Sequence, residues 1–260
     1  MACPGPGPSS DVEVLLIGDS ITKGFISGPD GLTRSCVEER CWAAQLAAQL
    51  GQGYRVIERG VGGATTLDWV GPTAGIPFAE IEGSLVPLFD GLVARDLPVD
   101  IVVILLGTND AVGFGEDAPL PPDDYARNLE LLTRRLLDRG VGRVVLLPPP
   151  PRRPSTGEVR VRLFGYRVAI ERLCRAMSGE ESAKPPAVLC GPNLLDRLGP
   201  EHFEKNDVHP NASGHRRIAE AVAETIEALS RGRHPEPDPV GSPTGSSGSK
   251  QAPDSPGRPE

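Results

Sequence analysis

No apolar run in this sequence is long enough to cross a bilayer. Ile101–Leu106, among the longest, is far short of a membrane span. The N-terminus, MACPGPGPSSD, lacks the basic start and apolar stretch of a secretory signal. Together these absences lead us to expect a cytoplasmic protein with no membrane contact. Positive charge is also in deficit: 27 Lys and Arg stand against 35 Asp and Glu, for a net charge of −8. Such a chain has no long-range attraction for nucleic acid or an anionic membrane surface. No protein partner is evident either. The five cysteines (Cys3, Cys36, Cys41, Cys174 and Cys190) are odd in number, scattered, and free of any CxxC spacing. They read as free thiols, and no zinc site is expected. The sequon at Asn211 carries no weight without secretion. No internal repeat is found.

What is present suits a single globular core. The chain has 260 residues, 38% of them hydrophobic and 24% charged. Its ends differ from its middle. Residues 1–10 are rich in Pro, Gly and Ser. From Arg233 to Glu260 there are seven prolines and almost no large apolar residue after Val240. Such segments bury too little surface to offset their ordering entropy. We therefore expect disordered ends at 1–10 and 233–260, flanking one domain over 11–232.

Within that domain, apolar runs alternate with helical patterns. Glu13–Ile17, Ile101–Leu106 and Arg143–Leu147 read as strands, Arg55–Ile57 as a weaker one, and Ala187–Leu189 as a short one. Helices are expected where Trp42, Leu46 and Leu50 recur, and over Gly83–Leu97. A third should run from Pro121 through Tyr125, Leu129, Leu132 and Leu136 to a stop at Gly140. Leu163, Tyr166, Ile170, Leu173 and Met177 mark a fourth. Ile218, Val222, Thr225, Ile226 and Leu229 mark the last. Continuous apolar strands between amphipathic helices indicate a parallel sheet covered on both faces. The expected fold is an α/β three-layer sandwich of about five strands, flavodoxin-like in plan. Ligands in such sheets bind at the carboxyl ends of the strands.

The chemistry-bearing residues fall at those ends. Gly18-Asp19-Ser20-Ile21-Thr22-Lys23-Gly24 follows the first strand, and Gly60-Val61-Gly62-Gly63 follows the second. Gly107-Thr108-Asn109-Asp110 follows the third, and Val208-His209-Pro210-Asn211 lies near the end of the domain. A hydroxyl nucleophile needs a base within reach and donors for the developing oxyanion. Ser20 ends a strand and should enter a helix, whose N-terminal amides favour negative charge. Gly63 allows close backbone approach, Asn109 offers an amide donor, and His209 can serve as base. Taken singly, Ser20 reads as a helix cap, Asn109 as a turn residue and His209 as a structural or solvated group. Their convergence on one sheet edge argues otherwise.

The four segments resemble the sequence blocks of the SGNH (GDSL-type) hydrolase superfamily, in the same order, over roughly residues 12–230. The resemblance implies Ser20 as nucleophile and His209 as its base. It implies an oxyanion hole built from the Ser20 amide, Gly63 and Asn109. Esters of small or medium size are the implied substrates, cleaved through an acyl-enzyme with no metal and no organic cofactor. The α/β-hydrolase elbow G-x-S-x-G is excluded, because Thr22 stands where its second Gly would be. One departure stands out. The family carries an Asp three residues before the His, and here that position is Asn206. Asp207, two before, is the competing relay acid.

Within enzymes, a thioesterase, a carbohydrate O-deacetylase or an acyltransferase would use the same site. A non-catalytic binding module on this fold is a further alternative, favoured only by the altered relay position. Phe25–Arg40 reads equally as a rim over the site or a surface loop. Pro148–Pro151 reads as a rigid pocket wall or, less readily, as a ligand for another domain. Arg152, Arg153, Arg160, Arg162 and Arg167 read as a solvated basic loop. Cys174 is expected in the core, Asp110 as a brace for its own loop, and His202 and His215 on the surface.

Overall fold

The computed structural model describes residues 11–27, 33–35, 40–71, 80–81, 84–85, 88–113, 118–152, 155–178, 186–204 and 208–231. The expectations for both chain ends, and for Asn206 and Asp207, fall outside these residues.

Nine strands and six α-helices follow in order among the described residues: β1 (Val12–Gly18), β2 (Phe25–Ser27), β3 (Thr33–Ser35), α1 (Trp42–Leu50), β4 (Tyr54–Gly60), α2 (Thr66–Val70), β5 (Glu80–Ile81), β6 (Ser84–Leu85), β7 (Ile101–Leu105), α3 (Pro122–Asp138), β8 (Arg143–Leu147), α4 (Gly157–Ser178), β9 (Val188–Cys190), α5 (Leu194–Arg197) and α6 (Ala212–Ser230). Five strands form one sheet in the order β4-β1-β7-β8-β9, and every pairing in it is parallel. The pairs β2–β3 and β5–β6 are small antiparallel ribbons. No helix among the described residues is long and apolar enough to cross a membrane.

Both faces of the sheet are covered, which is why its central strands read as unbroken apolar runs. Side chains alternate across a strand, so Leu15, Ile17, Val102 and Ile104 pack on one face with Tyr125, Leu129, Leu132 and Leu136 of α3 and Leu163, Tyr166 and Ile170 of α4. Val14, Leu16, Val103 and Leu105 face the other way, onto Trp42 and Leu46 of α1 and Ile218, Val222, Ile226 and Leu229 of α6. The expected three-layer α/β sandwich is the observed one. Truncating a layer-spanning side chain such as Leu132 should cost about 2–5 kcal/mol.

Two elements differ from expectation. β4 runs over Tyr54–Gly60, longer than Arg55–Ile57. It lies at the sheet edge, so Arg55, Glu58 and Arg59 are tolerated where solvent reaches them. Arg55 pairs with Glu13 on β1, and Arg59 with Asp96 at 2.7 Å. Of the helix expected over Gly83–Leu97, the described residues show helical backbone at Leu88 and Ala94 around one wide turn, Phe89–Val93, closed by the Ala94 amide on the Phe89 carbonyl at 3.0 Å. Ser84–Leu85 instead pairs with Glu80–Ile81. Leu88, Phe89 and Val93 are buried, so core packing fixes one turn, while Gly91 in its middle weakens any longer helix.

Candidate active site

The strands that precede Ser20, Gly63 and Asn109 are β1, β4 and β7, three neighbours in the sheet. Chain progression reverses here, between β4 on one side of β1 and β7 on the other, which opens a crevice at the carboxyl edge. The three segments are therefore brought together by topology.

Ser20 does not enter a helix. Ser20–Gly24 is a lone turn, with the Lys23 amide on the Asp19 carbonyl at 2.9 Å and the Phe25 amide on the Ser20 carbonyl at 2.8 Å. The chain then passes directly into β2, so the stabilising amides are those of one turn only. That turn packs tightly on β4: a Cβ at Gly60 would lie 2.2 Å from the Lys23 nitrogen. Only glycine at position 60 admits this approach.

Asp19 is buried and accepts the Ile21 amide at 2.9 Å, which orders the turn. Burial pushes its carboxyl up to about 7; Asp110 also raises it, while the Ile21 amide and the Thr108 hydroxyl pull it down.

His209 lies two residues before Asn211, the N-cap of α6. The Asn211 side chain accepts the Ser213 and Gly214 amides and donates to the Glu201 carbonyl at 3.0 Å, so the sequon asparagine is occupied in capping. Pro210 bridges to Phe203, and the Asn211 amide donates to the His202 carbonyl at 2.8 Å. So anchored, His209 sets Nε2 at 2.9 Å from Ser20 Oγ. This joins residues 189 positions apart at hydrogen-bond length.

Gly63 adopts φ 78, a left-handed conformation that glycine takes without strain. Asn109 is partly buried, and its Nδ2 donates to the Ala64 carbonyl at 3.0 Å. Asp110 braces its loop against the one after β4: its carboxylate accepts the Thr66 amide at 3.0 Å and the Thr66 hydroxyl. Asn128 of α3 donates to the same hydroxyl at 3.1 Å. Burial lifts the Asp110 carboxyl to about 6 against these donors. Tyr125 donates to the Leu106 carbonyl at 2.9 Å, directly under the start of this loop.

Other expectations are corrected. His215 is fully buried rather than on the surface. Its Nδ1 accepts the Trp42 amide at 3.3 Å, and its Nε2 lies 3.0 Å from the Phe25 carbonyl. Burial lowers it to about 4, and it is neutral. His202 accepts the Gly199 amide at 2.9 Å. The arginines do not form one solvated loop: Arg167 is buried against Glu171 and Asp196, and Arg162 donates to the Ala111 carbonyl. Arg153 lies outside the described residues. Pro148–Pro150 are buried, with Pro149 3.1 Å from a Cβ placed at Gly107, which suits a wall and not an exposed ligand. Cys174 is in the core as expected, and Cys174 and Cys190 are free of disulfides. A surface groove of about 1120 Å³ between α3 and α4, lined by residues such as Val161 and Phe164, shares no lining residue with the four segments. Among the described residues, no three His, Cys, Asp or Glu gather as a metal site.

The sequence profile of the GDSL-like Lipase/Acylhydrolase family matches residues 16–217. Solved structures share the fold. Est24, a carbohydrate acetylesterase from Sinorhizobium meliloti, is 25% identical, with a TM-score of 0.65 over 84% of this chain and 100% of its own. The aryl esterase of M. smegmatis is 23% identical, with a TM-score of 0.63 over 84% of this chain and 99% of its own. A variant of Axe2, an acetyl-xylooligosaccharide esterase from Geobacillus stearmophilus, is 20% identical, with a TM-score of 0.59 over 84% and 96%. No curated protein matches by sequence.

Proposed function

The chain belongs to the GDSL-like lipase/acylhydrolase family and is a hydrolase acting on ester bonds, and from that premise we propose that it cleaves carboxylic esters of small or medium size through an acyl-enzyme on Ser20. The observation that carries this reading is the 2.9 Å contact between His209 Nε2 and Ser20 Oγ.

On this reading, His209 takes the hydroxyl proton as Ser20 Oγ attacks the ester carbonyl carbon. The carbonyl oxygen becomes an oxyanion, received by the Ser20 and Gly63 amides and by Asn109 Nδ2. Collapse breaks the bond to the alkoxy oxygen, and His209 returns its proton to the leaving alcohol. Water then attacks the acyl-enzyme with His209 again as base, releasing the carboxylic acid and restoring Ser20. The Ala64 carbonyl takes one of the two Asn109 amide protons and so fixes the orientation of that donor, leaving the other free. Donors already in place need no reorganisation as charge develops.

Acetyl is the first acyl group to try, since Est24 is described as a carbohydrate acetylesterase. The test has two stages. A fluorophosphonate probe should add to Ser20, with the adduct located by peptide mass spectrometry. A p-nitrophenyl ester series of rising chain length should then turn over fastest at the short end. Labelling at another residue would overturn the nucleophile. Labelling at Ser20 without turnover of any ester in the series would reject hydrolysis of such esters.

A further inference from the structure

His215 sits in the first turn of α6 with no exposed surface. Both ring nitrogens are engaged, each by backbone of a different segment. Nδ1 faces the amide of Trp42, a first-turn helix amide with no intrahelical acceptor, at 3.3 Å. Nε2 faces the carbonyl of Phe25 at 3.0 Å. An amide can only donate and a carbonyl can only accept, so the ring is neutral with its proton on Nε2.

Phe25 touches the site in three ways. Its amide donates to the Ser20 carbonyl at 2.8 Å. Its ring lies 5.8 Å from the His209 ring, tilted by 58°. The far edge of that ring lies 3.6 Å from a Cβ placed at Gly62, the neighbour of Gly63. One side chain thus fills the space between the base and the second candidate oxyanion segment, and its backbone is held from below by His215.

We propose that His215 is a positioning residue for His209: by fixing the Phe25 carbonyl it holds the Phe25 ring as the stop against which the His209 imidazole keeps Nε2 aimed at Ser20. The proposal rests on the Ser20–His209 reading above. An imidazole turns about two side-chain bonds, and the nearby ring restricts that freedom. A misplacement of about 1 Å costs about a hundredfold in rate, so a small relaxation of Phe25 is enough to matter.

A purely structural role, holding α1 and α6 together through Trp42, can be told apart by chemistry. In His215→Gln, the longer amide keeps a donor near the Nε2 position, toward Phe25. In His215→Asn, the shorter side chain keeps an acceptor near the Nδ1 position, toward Trp42, and leaves Phe25 without its donor. The readout is the second-order rate at which a fluorophosphonate labels Ser20, measured beside the melting temperature. This rate reports the nucleophile and its base, not the departure of an alcohol.

His215→Gln should label near the wild-type rate, and His215→Asn about ten- to a hundredfold slower at a similar melting temperature. Phe25→Leu, which keeps the backbone and removes the ring, should show the same loss. The double variant Phe25→Leu/His215→Asn should be no slower than either single one, because both remove one stop. Rates that follow the melting temperature in both His215 variants, or losses that multiply in the double variant, overturn the proposal. If His215→Asn does not fold, Phe25→Leu decides: a folded Phe25→Leu that labels at the wild-type rate also overturns it. A wild-type chain that does not label at Ser20 overturns the nucleophile assignment instead, and the proposal falls with it.

Discussion

Asn109 donates its side-chain amide to the carbonyl of Ala64, 3.0 Å away, and so ties the loop after β7 to the loop after β4. Asp110 and Thr66 join the same two segments a second time, one residue further along the first and two along the second. The segments that carry Gly63 and Asn109 are thereby held together at two points. In Asn109→Ala, the donor we propose for the oxyanion and one of the two ties are lost. Loss of a single such donor costs about 100- to 1,000-fold in kcat. We expect that fall with little change in KM, measured on a short-chain p-nitrophenyl ester. An effect confined to KM would assign Asn109 to substrate positioning.

Ser20→Ala separates chemistry from folding. Ser20 sits in a turn held by backbone hydrogen bonds and by Asp19 on the Ile21 amide, none of which uses its hydroxyl. The variant should keep the wild-type melting temperature and lose ester turnover. Retention of more than a few per cent of the wild-type rate, about 2 kcal/mol of barrier or less, would place the nucleophile elsewhere.

The buried parallel sheet was legible in the sequence because strands covered on both faces must be apolar at every position, as Ile101–Leu105 is. Ser20 and Asn109 are legible as candidates through their place just beyond such runs, and Gly63 through its place beyond the weaker run of β4. β4 was read too short because its edge position leaves one row of residues polar. The burial of His215 is hidden for a different reason. Its partners are backbone groups 173 and 190 positions away, and a backbone partner leaves no trace in residue identity. The clue available was its place in the first turn of an amphipathic helix, on the same side as Ile218 and Val222. The tie from Asp110 to Thr66 is hidden likewise: the sequence marks Asp110 as a brace for its own loop, but its partner includes a backbone amide 44 positions away.

Stability should respond to pH through three buried groups, in opposite senses. Asp19 and Asp110 have folded values of about 7 and about 6, above the ordinary 3.8. A raised acid value favours the neutral form in the folded chain. Their contribution is complete below about pH 4 and is lost as pH rises through 6 to 7. His215 has a folded value of about 4, below the ordinary 6.5, and it faces His209 as well as the Phe25 carbonyl. Its contribution is complete above 6.5 and is lost as pH falls toward 4. Both effects act between about pH 4 and 7, where the two carboxyls outweigh the one imidazole, so melting temperature should fall as pH rises through this window. Asp19→Asn keeps an acceptor for the Ile21 amide and removes the titration. It should flatten the decline between about pH 4 and 7, worth on the order of a few kcal/mol. An unchanged slope would mean that Asp19 is ionised throughout that range in the folded chain.

The last expectation concerns the group that orients His209, where the sequence places Asn206 three residues before the histidine and Asp207 two before. Both lie outside the described residues, so the argument is one of spacing and chemistry. In one turn of backbone, the residue three before shares the face of the histidine, and the residue two before points away. We therefore propose Asn206 for the slot. An amide oxygen there can accept the proton on Nδ1 and keep Nε2 free for Ser20 Oγ, the atom it faces at 2.9 Å. It supplies no negative charge to the imidazolium that forms during turnover. Replacing a triad Asp by Asn in a serine protease costs about 10⁴-fold, but there the Asn enforces the wrong tautomer. Here the amide can turn to present its oxygen, so the penalty should be smaller. Asn206→Asp restores the charge and should keep or raise kcat. Asp207→Ala should change kcat by less than roughly tenfold, about 1.4 kcal/mol of barrier. A loss of several orders of magnitude in a folded Asp207→Ala, on the same ester, would make Asp207 the relay acid and remove Asn206 from the site.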